Sequence, residues 1–375
     1  MRDEGMAVKK NRLSHSQSMK YQDCGQAWHN HYNERIRPVT KSSALFFGNV
    51  LDSAVEDYLN NKNKDQAIDI LRTSWEEIEI NGKKEAMFDS TKVIYSNADY
   101  DAELLEEEDL GVLKAEYGDD VLDQVKAIYK QKSAVGFNYL KHSSKVLLNK
   151  ANWFSMLRKG MLMLDRAFVL IDENVEEVLA TQVKVNLENE DGDSIVGYAD
   201  FVVKWKGYED PIVFDLKTSS IEYAEDSAKN SPQLSVYVHD LRSTYNTSTV
   251  GFMVLHKRVK KDRQKICSVC EHDGSATRHR TCNAEVDGER CGGEFNEVVK
   301  FSIRDQIIID TIDPVVEKMV IANMDAVNVS IKSGIITKNL NACEKPWGMC
   351  PYHSLCFKDA SLTDAGLTKV EEGVR

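Results

Sequence analysis

Residues Gly197–Tyr237 read GYADFVVKWKGYEDPIVFDLKTSSIEYAEDSAKNSPQLSVY. Two apolar runs, Ile195–Trp205 and Ile212–Leu216, flank a polar turn at Lys206–Pro211, the pattern of two half-buried strands joined as a hairpin. Asp200 sits inside the first run. Asp215 and Lys217 close the second, two residues apart, so their side chains leave the same face of a strand. Charges inside apolar strands are costly unless something partners them. Two arrangements satisfy these three residues. One is a buried salt bridge. The other is a divalent cation of the magnesium type on the two carboxylates, with the lysine orienting or helping to deprotonate a bound water.

The elements around this stretch follow from periodicity. A helix is expected from Ser43 to Asn61, with Gly48 and Asp52 four apart on one face, and another from Pro232 to Tyr245, with Gln233 and Tyr237 likewise aligned. A helix capped by Ser14 or Ser16 runs to about Arg35 and carries Cys24. Further helices are expected over 64–82, 121–148, 151–168 and 305–333, the last with a kink at Pro314. Strands are expected near Val178–Leu187, Thr249–His256 and Val298–Ile303. The acidic segment Ala102–Asp120 reads as solvated surface.

The expected organisation is a disordered stretch at 1–12, a mainly helical region at 13–170, a core at 171–340 with an insertion at 265–295, a cysteine segment at 341–358 and a flexible tail at 359–375. A chain of 375 residues with 42% apolar and 29% charged residues is ordinary for a soluble protein. No apolar run is long enough to span a membrane and no secretory signal opens the chain, so the expectation is a cytoplasmic protein without a membrane partner. The formal charge of −12 argues against a surface coated with phosphate-binding groups. It leaves room for a local basic track, and His256–Lys265, HKRVKKDRQK, has six Lys or Arg against one Asp. Lys257, Arg258, Lys260, Lys261 and Arg263 are the candidate phosphate contacts there; a solvated strand extension explains the same residues equally well.

Eight cysteines in such a chain suggest metal ligands rather than disulfides. Cys267, Cys270, Cys282 and Cys291 are spaced C-x2-C-x11-C-x8-C and read as a structural zinc site that folds its own short insertion, with His272 and His279 as substitute ligands. Cys343, Cys350 and Cys356 lack a fourth thiolate. Either Cys24 closes the set, which suits a [4Fe–4S] cluster, or His353 completes a zinc site.

The ordered series Gly48-x3-Asp52, Gly197-x2-Asp200, Asp215-Leu216-Lys217 and Gln233-x3-Tyr237 resembles the PD-(D/E)XK nucleases of the RecB type. Cys24 upstream and the triplet Cys343, Cys350 and Cys356 downstream make it most similar to their iron–sulfur branch, which includes the CRISPR-associated exonucleases and the nuclease domain of AddB. The resemblance covers about residues 13–60 and 178–356; the family commonly has histidine where this chain has Asp52, and a shorter first spacing in the triplet.

The resemblance implies an α/β fold: a restriction-endonuclease-like central mixed sheet flanked by helices, with a helical N-terminal region, a zinc-ribbon-like insertion and a C-terminal iron–sulfur-type cysteine cluster. It implies that Asp200, Asp215 and the Leu216 carbonyl bind Mg²⁺ or Mn²⁺, with Asp52 completing the site. Lys217 would position and activate the attacking water, and Gln233 and Tyr237 would orient Lys217 or contact DNA. The implied activity is metal-dependent phosphodiester hydrolysis, as a single-stranded DNA exonuclease in replication, recombination or repair. DNA, single-stranded or with a free end, would be the partner, alongside a helicase or other recombination or replication protein. A non-catalytic DNA-binding or assembly module on the same scaffold is the alternative, although a decayed site would be expected to have lost one of Asp200, Asp215, Lys217 or Gln233. A metal-stabilised protein unrelated to nucleic acid is a third reading, and would show no salt-dependent DNA binding.

Overall fold

The computed structural model describes residues 12–371 except 89, 97–98, 189–191, 276–278 and 346–347. Most of the stretch expected to be disordered, and the last four residues of the tail, lie outside this set. A six-stranded mixed sheet organises the chain. Its strands are β1 (Arg12–Ser14), β2 (Val175–Glu188), β3 (Ser194–Trp205), β4 (Ile212–Ser219), β5 (Thr249–Cys267) and β6 (Phe295–Thr311). The principal helices are α1 (His15–Asp23), α2 (Ser43–Asn61), α3 (His142–Asn174), α4 (Pro232–Tyr245) and α5 (Pro314–Lys332).

β2 runs antiparallel along β3 from Val175/Trp205 to Glu188/Ser194. The other edge of β3 is shared. β1 pairs with it in parallel at 194–196, and β4 pairs antiparallel at 201–203. β5 lies parallel to β4 and antiparallel to β6. Both faces of the sheet are covered, which explains the near-continuous apolar runs of its central strands. On one face α2 and α3 bury Phe47, Leu51, Met163 and Phe168 against Phe201, Phe214 and Leu255. On the other, α4 and α5 bury Leu234, Val238, Val320 and Met324 against Val213, Val250 and Val254. Each such fully buried side chain stabilises the fold by about 1.5–3 kcal/mol before entropy is counted. The helical region therefore shares its core with the sheet.

Several boundaries differ from expectation, each for a local reason. The helix expected over 64–82 ends at Glu76, and Glu77–Ile80 pairs with Lys83–Ala86. Asn81 and Gly82 make the turn with φ of 53° and 80°, the left-handed pair that a two-residue hairpin requires. The helices expected over 121–148 and 151–168 are Val121–Val135 and the 33-residue α3, because the break falls at Gly136, with φ of 86°, and not near residue 150. The helix expected to start near Asp305 begins at Pro314, and residues 305–311 belong to β6. Ile307 and Ile309 pack on one face of the sheet and Ile308 on the other, so the apolar run reports a strand buried on both sides. Pro314 does not kink a helix; it opens one behind the Asp313 cap.

The tail, expected to be loose, carries a strand at Leu367–Lys369 that pairs antiparallel with Ile36–Pro38. It is one of several ties between the chain's two ends. Tyr352 Oη donates to the Ile36 carbonyl at 3.0 Å, and Asn339 Nδ2 to the Asp23 carbonyl at 2.9 Å. A Cβ on Gly25 would stand 2.8 Å from the Thr337 amide, so glycine there permits the two ends to touch.

Beyond His256, which faces Ser219 at the end of β4, β5 keeps β6 as its one strand partner among the described residues. The pair projects from the sheet as a two-stranded arm. A bulge marks its root: Leu255 pairs with Asp305 and Val259 with Ile303, so three residues of β5 oppose one of β6. The four-cysteine insertion closes its tip.

Candidate active site

Pairing between β3 and β4 stops at Phe201/Phe214, one residue before Asp200 and Asp215 would face each other. The strands part there, and Asp200 Oδ2 accepts the Leu216 N–H at 2.6 Å. Asp215 is buried at 2% exposure and forms an ion pair with Lys217, its neighbour on the same face of β4. Pro232 starts α4 behind its Ser231 cap and sets Gln233 over this pair. Gln233 Nε2 donates to Asp215 Oδ1 at 2.9 Å and to the Tyr237 hydroxyl at 2.6 Å, while its Oε1 accepts from Lys217 Nζ at 3.1 Å. Every polar function of that amide is used, and the opposite orientation would aim its oxygen at the carboxylate. Tyr237 fits because Gly197 has no side chain: a Cβ there would lie 2.9 Å from the tyrosine Cε1.

Asp52 enters from α2, and Gln182 Nε2 donates to its Oδ2 at 3.0 Å. Gln182 was not among the sequence candidates. It lies opposite Asp200, between the Thr181/Phe201 and Val183/Ala199 pairs, with a left-handed φ of 46° in the middle of a strand. The strand around it mixes polar and apolar residues, so nothing local in the sequence marked it. His15 was also missed. Its Nε2 is buried without a hydrogen-bond partner among the described residues, and burial, helped by the Lys217 charge, lowers its pKa.

The electrostatics follow from crowding three carboxylates around one ammonium. Burial, with Asp215 and Asp52 nearby, pushes Asp200 up to about 8. Burial pushes Asp52 up to about 6 against the Gln182 hydrogen bond, with the Asp215 charge adding to the rise. Asp215 is raised by burial despite Lys217. Burial works to lower the Lys217 pKa, but Asp215 and Asp200 outweigh it and hold the ammonium's pKa above its ordinary value. Carboxylates crowded in a partly buried site resist ionising together, and their oxygens suit a hard divalent ion.

The two cysteine groups differ in geometry. The sulfurs of Cys267, Cys270, Cys282 and Cys291 all lie within 4.8 Å of one another. Cys267 Sγ is 3.6 Å from Cys291 Sγ, and Cys270 Sγ is 3.6 Å from Cys282 Sγ, separations that fit a tetrahedral ion. The Cys270 amide lowers the Cys267 thiol to about 6, while burial and the adjoining sulfurs push Cys282 up to about 12. His272 and His279 are not part of this group. Cys24 is brought within electrostatic reach of Cys350 and Cys356, as is Cys343. The His353 ring lies against Phe357, with centroids 4.9 Å apart and planes tilted by 34°.

The basic stretch divides between the two faces of the arm. Lys257 lies 5.4 Å from the Phe47 ring centroid, and Lys261 pairs with Asp101 at 3.1 Å and Glu103 at 3.3 Å. Arg258, Lys260 and Arg263 are exposed.

A model of the PD-(D/E)XK nuclease superfamily matches residues 12–357, which run from β1 through the last cysteine. The chain belongs to the PD-(D/E)XK nuclease superfamily. No curated protein matches it. Membership makes it a nuclease-type hydrolase whose relatives use divalent metals, and the mixed sheet between two helical layers fits that fold. The four-cysteine group at the arm's tip is able to hold a metal of its own. Among the described residues no helix is long and apolar enough to cross a membrane.

Proposed function

We propose that this superfamily member is a Mg²⁺- or Mn²⁺-dependent deoxyribonuclease of the RecB-type iron–sulfur branch, acting as an exonuclease on single-stranded DNA in replication, recombination or repair. The observation that carries the reading is the convergence of Asp215, Lys217 and Tyr237 on the single side-chain amide of Gln233, with Asp200 anchored beside them on the Leu216 amide. A salt bridge alone leaves two further half-buried carboxylates, Asp200 and Asp52, sharing the single Lys217 charge.

Asp200 and Asp215, with Asp52 and the Leu216 carbonyl, are the residues that would hold the catalytic ion. When bound, that ion supplies Lewis-acid stabilisation of the phosphate and acidifies water. The chain's own residues do the positioning. The Leu216 amide and Gln182 fix the Asp200 and Asp52 oxygens. Lys217, kept protonated by its carboxylate neighbours, acts as a donor: it orients the attacking water and stabilises charge building on a non-bridging phosphate oxygen. Gln233 fixes the direction of the Lys217 ammonium, and Tyr237 fixes Gln233.

The gathering of Cys24 with Cys343, Cys350 and Cys356 supports a [4Fe–4S] cluster, and the tight Cys267, Cys270, Cys282 and Cys291 set supports Zn²⁺. A partner helicase would present the strand. The test is cleavage of end-labelled single-stranded DNA with Mg²⁺ or Mn²⁺ by the native protein and by Asp215→Ala and Lys217→Ala. Loss of products in both variants, with the fold intact, is expected; full activity in both overturns the reading.

A further inference from the structure

The face of the sheet that carries Asp215 and Lys217 continues onto the arm. Asp215 pairs in register with Phe252 and Lys217 with Val254, so these side chains share a face, and His256 is next in the alternation. Past the bulge, Lys260 faces Ser302 and Asp262 faces Lys300 on the same side. α4 begins at Pro232, beside the catalytic residues, so this face loses its helical cover where the arm begins.

A cleft of about 510 Å³ opens there, lined by Ser220, Glu222, His256, Arg258, Lys260 and Arg304. Its cations are poorly committed. Arg304 pairs with Glu222 at 3.2 Å and Lys260 with Asp262 at 3.0 Å, all four side chains at least 44% exposed, and Arg258 makes no ion pair among the described residues. Exposed pairs of this kind contribute little and exchange readily for a phosphate. The opposite face of the arm is different: Lys257 and Lys261 are taken up by Phe47, Asp101 and Glu103. In a chain of net charge −12, the cleft is where a polyanion meets uncommitted positive charge.

We propose that Arg258, Lys260 and Arg304 form a second phosphodiester-binding site that grips the DNA strand beyond the scissile bond. The proposal rests on the nuclease reading for its substrate. Arg258 and Lys260 follow Val254 by four and six residues, which sets them about 10–20 Å from Lys217, a span of several nucleotides. Phosphate contacts of this sort position a strand without reading its sequence.

The test is the triple variant Arg258→Ala/Lys260→Ala/Arg304→Ala in the full chain. Lys114→Ala/Lys126→Ala/Lys130→Ala, on exposed helical positions, is the charge-matched control. Fluorescence anisotropy of a labelled single-stranded oligonucleotide in EDTA, over a salt series, gives affinity and slope. Hydrolysis of bis(p-nitrophenyl) phosphate with Mn²⁺ reports the catalytic centre without the strand. The arm variant is expected to bind about tenfold or more weaker, with the salt slope reduced by about 2, while hydrolysis of the small diester is unchanged. Affinity and slope equal to the native protein, or an equal loss in the control, overturns the proposal. If the native protein hydrolyses neither substrate but the arm-dependent affinity persists, the nuclease reading fails and the binding site stands.

Discussion

Asp200 Oδ2 accepts the backbone N–H of Leu216 at 2.6 Å, at the point where the two strands carrying them cease to pair. The carboxylate takes a hydrogen bond that a continued ladder would have used. Two neighbouring acidic residues are thereby held at one spot on a β-sheet, an arrangement that opposes stability and suits a cation.

That opposition is measurable at Asp200. Asp200→Asn keeps a side-chain oxygen for the Leu216 amide and removes one of three crowded carboxylates. In EDTA near pH 8 the variant is expected to be more stable than the native protein by about 1 kcal/mol or more, the equivalent of a single unit of pKa shift. Nuclease activity should fall by about 10²–10³-fold. Thermal melts and a cleavage assay on the same preparation check both.

The pH dependence has a definite sign. Burial and the neighbouring carboxylates raise Asp200 from 3.8 to about 8. The metal-free fold holds a proton there that the unfolded chain has already released. Its contribution to stability is therefore complete below about pH 4 and is lost as pH rises through about 8. Denaturant melts in EDTA should show that decline for the native protein and a flatter profile for Asp200→Asn. Mg²⁺ should restore stability on the alkaline side.

Two glycines separate packing from substrate access. Gly197→Ala would set a Cβ 2.9 Å from Tyr237 Cε1, so the ring must move and carry Gln233 with it. A loss of about 1–3 kcal/mol in stability and a fall in kcat are expected. At Gly48 a Cβ would meet Thr218 Oγ1 alone, at 4.0 Å. Gly48→Ala, within α2, should gain up to about 1 kcal/mol of helix propensity. A drop in cleavage there with raised stability would report DNA passing over the helix; unchanged cleavage would place the strand elsewhere.

The arm's tip should depend on its metal while the core does not. Cys282→Ser removes one of four mutually close sulfurs. Loss of bound zinc by elemental analysis, and faster hydrogen exchange confined to about residues 265–295, are expected, with the main thermal transition retained. A collapse of that transition would show that the insertion holds the whole fold.

The cluster assignment has an optical test. Cys24→Ala should abolish visible absorbance near about 400 nm in anaerobically purified protein, the band expected of cysteine-ligated iron and sulfur. It should also expose the segment around Asn339, now held to Asp23, to limited proteolysis. A colourless native protein carrying a second zinc would contradict the cluster.

Much of the candidate site was legible because its residues break local rules. Asp200, Asp215 and Lys217 are charges in apolar strands, and Gln233 and Tyr237 share one helical face, so each could be picked out without coordinates. Gln182 and His15 could not, because nothing local distinguishes a polar residue in a strand or at a helix start from one facing solvent. The segment 305–311 is a strand where a helix was expected for a related reason: an apolar run buried on both sides has no alternation to declare its period. The Asn81-Gly82 hairpin, by contrast, had a local signal in its turn dipeptide, outweighed by the helical spacing before it.

By itself the sequence determined the order of elements around the site, the donor types and the grouping of cysteines, since these follow from spacing along a chain of known local geometry. The tertiary structure decided which distant residues meet. It brought Cys24 to the C-terminal cysteines and set Gln182 against Asp52. It also divided one basic stretch between two faces, turning Lys257 and Lys261 toward the helical layer and leaving Arg258 and Lys260 open beside Arg304. Such meetings depend on where strands cease to pair and where a bulge shifts the register, and these are properties of the whole sheet rather than of any segment.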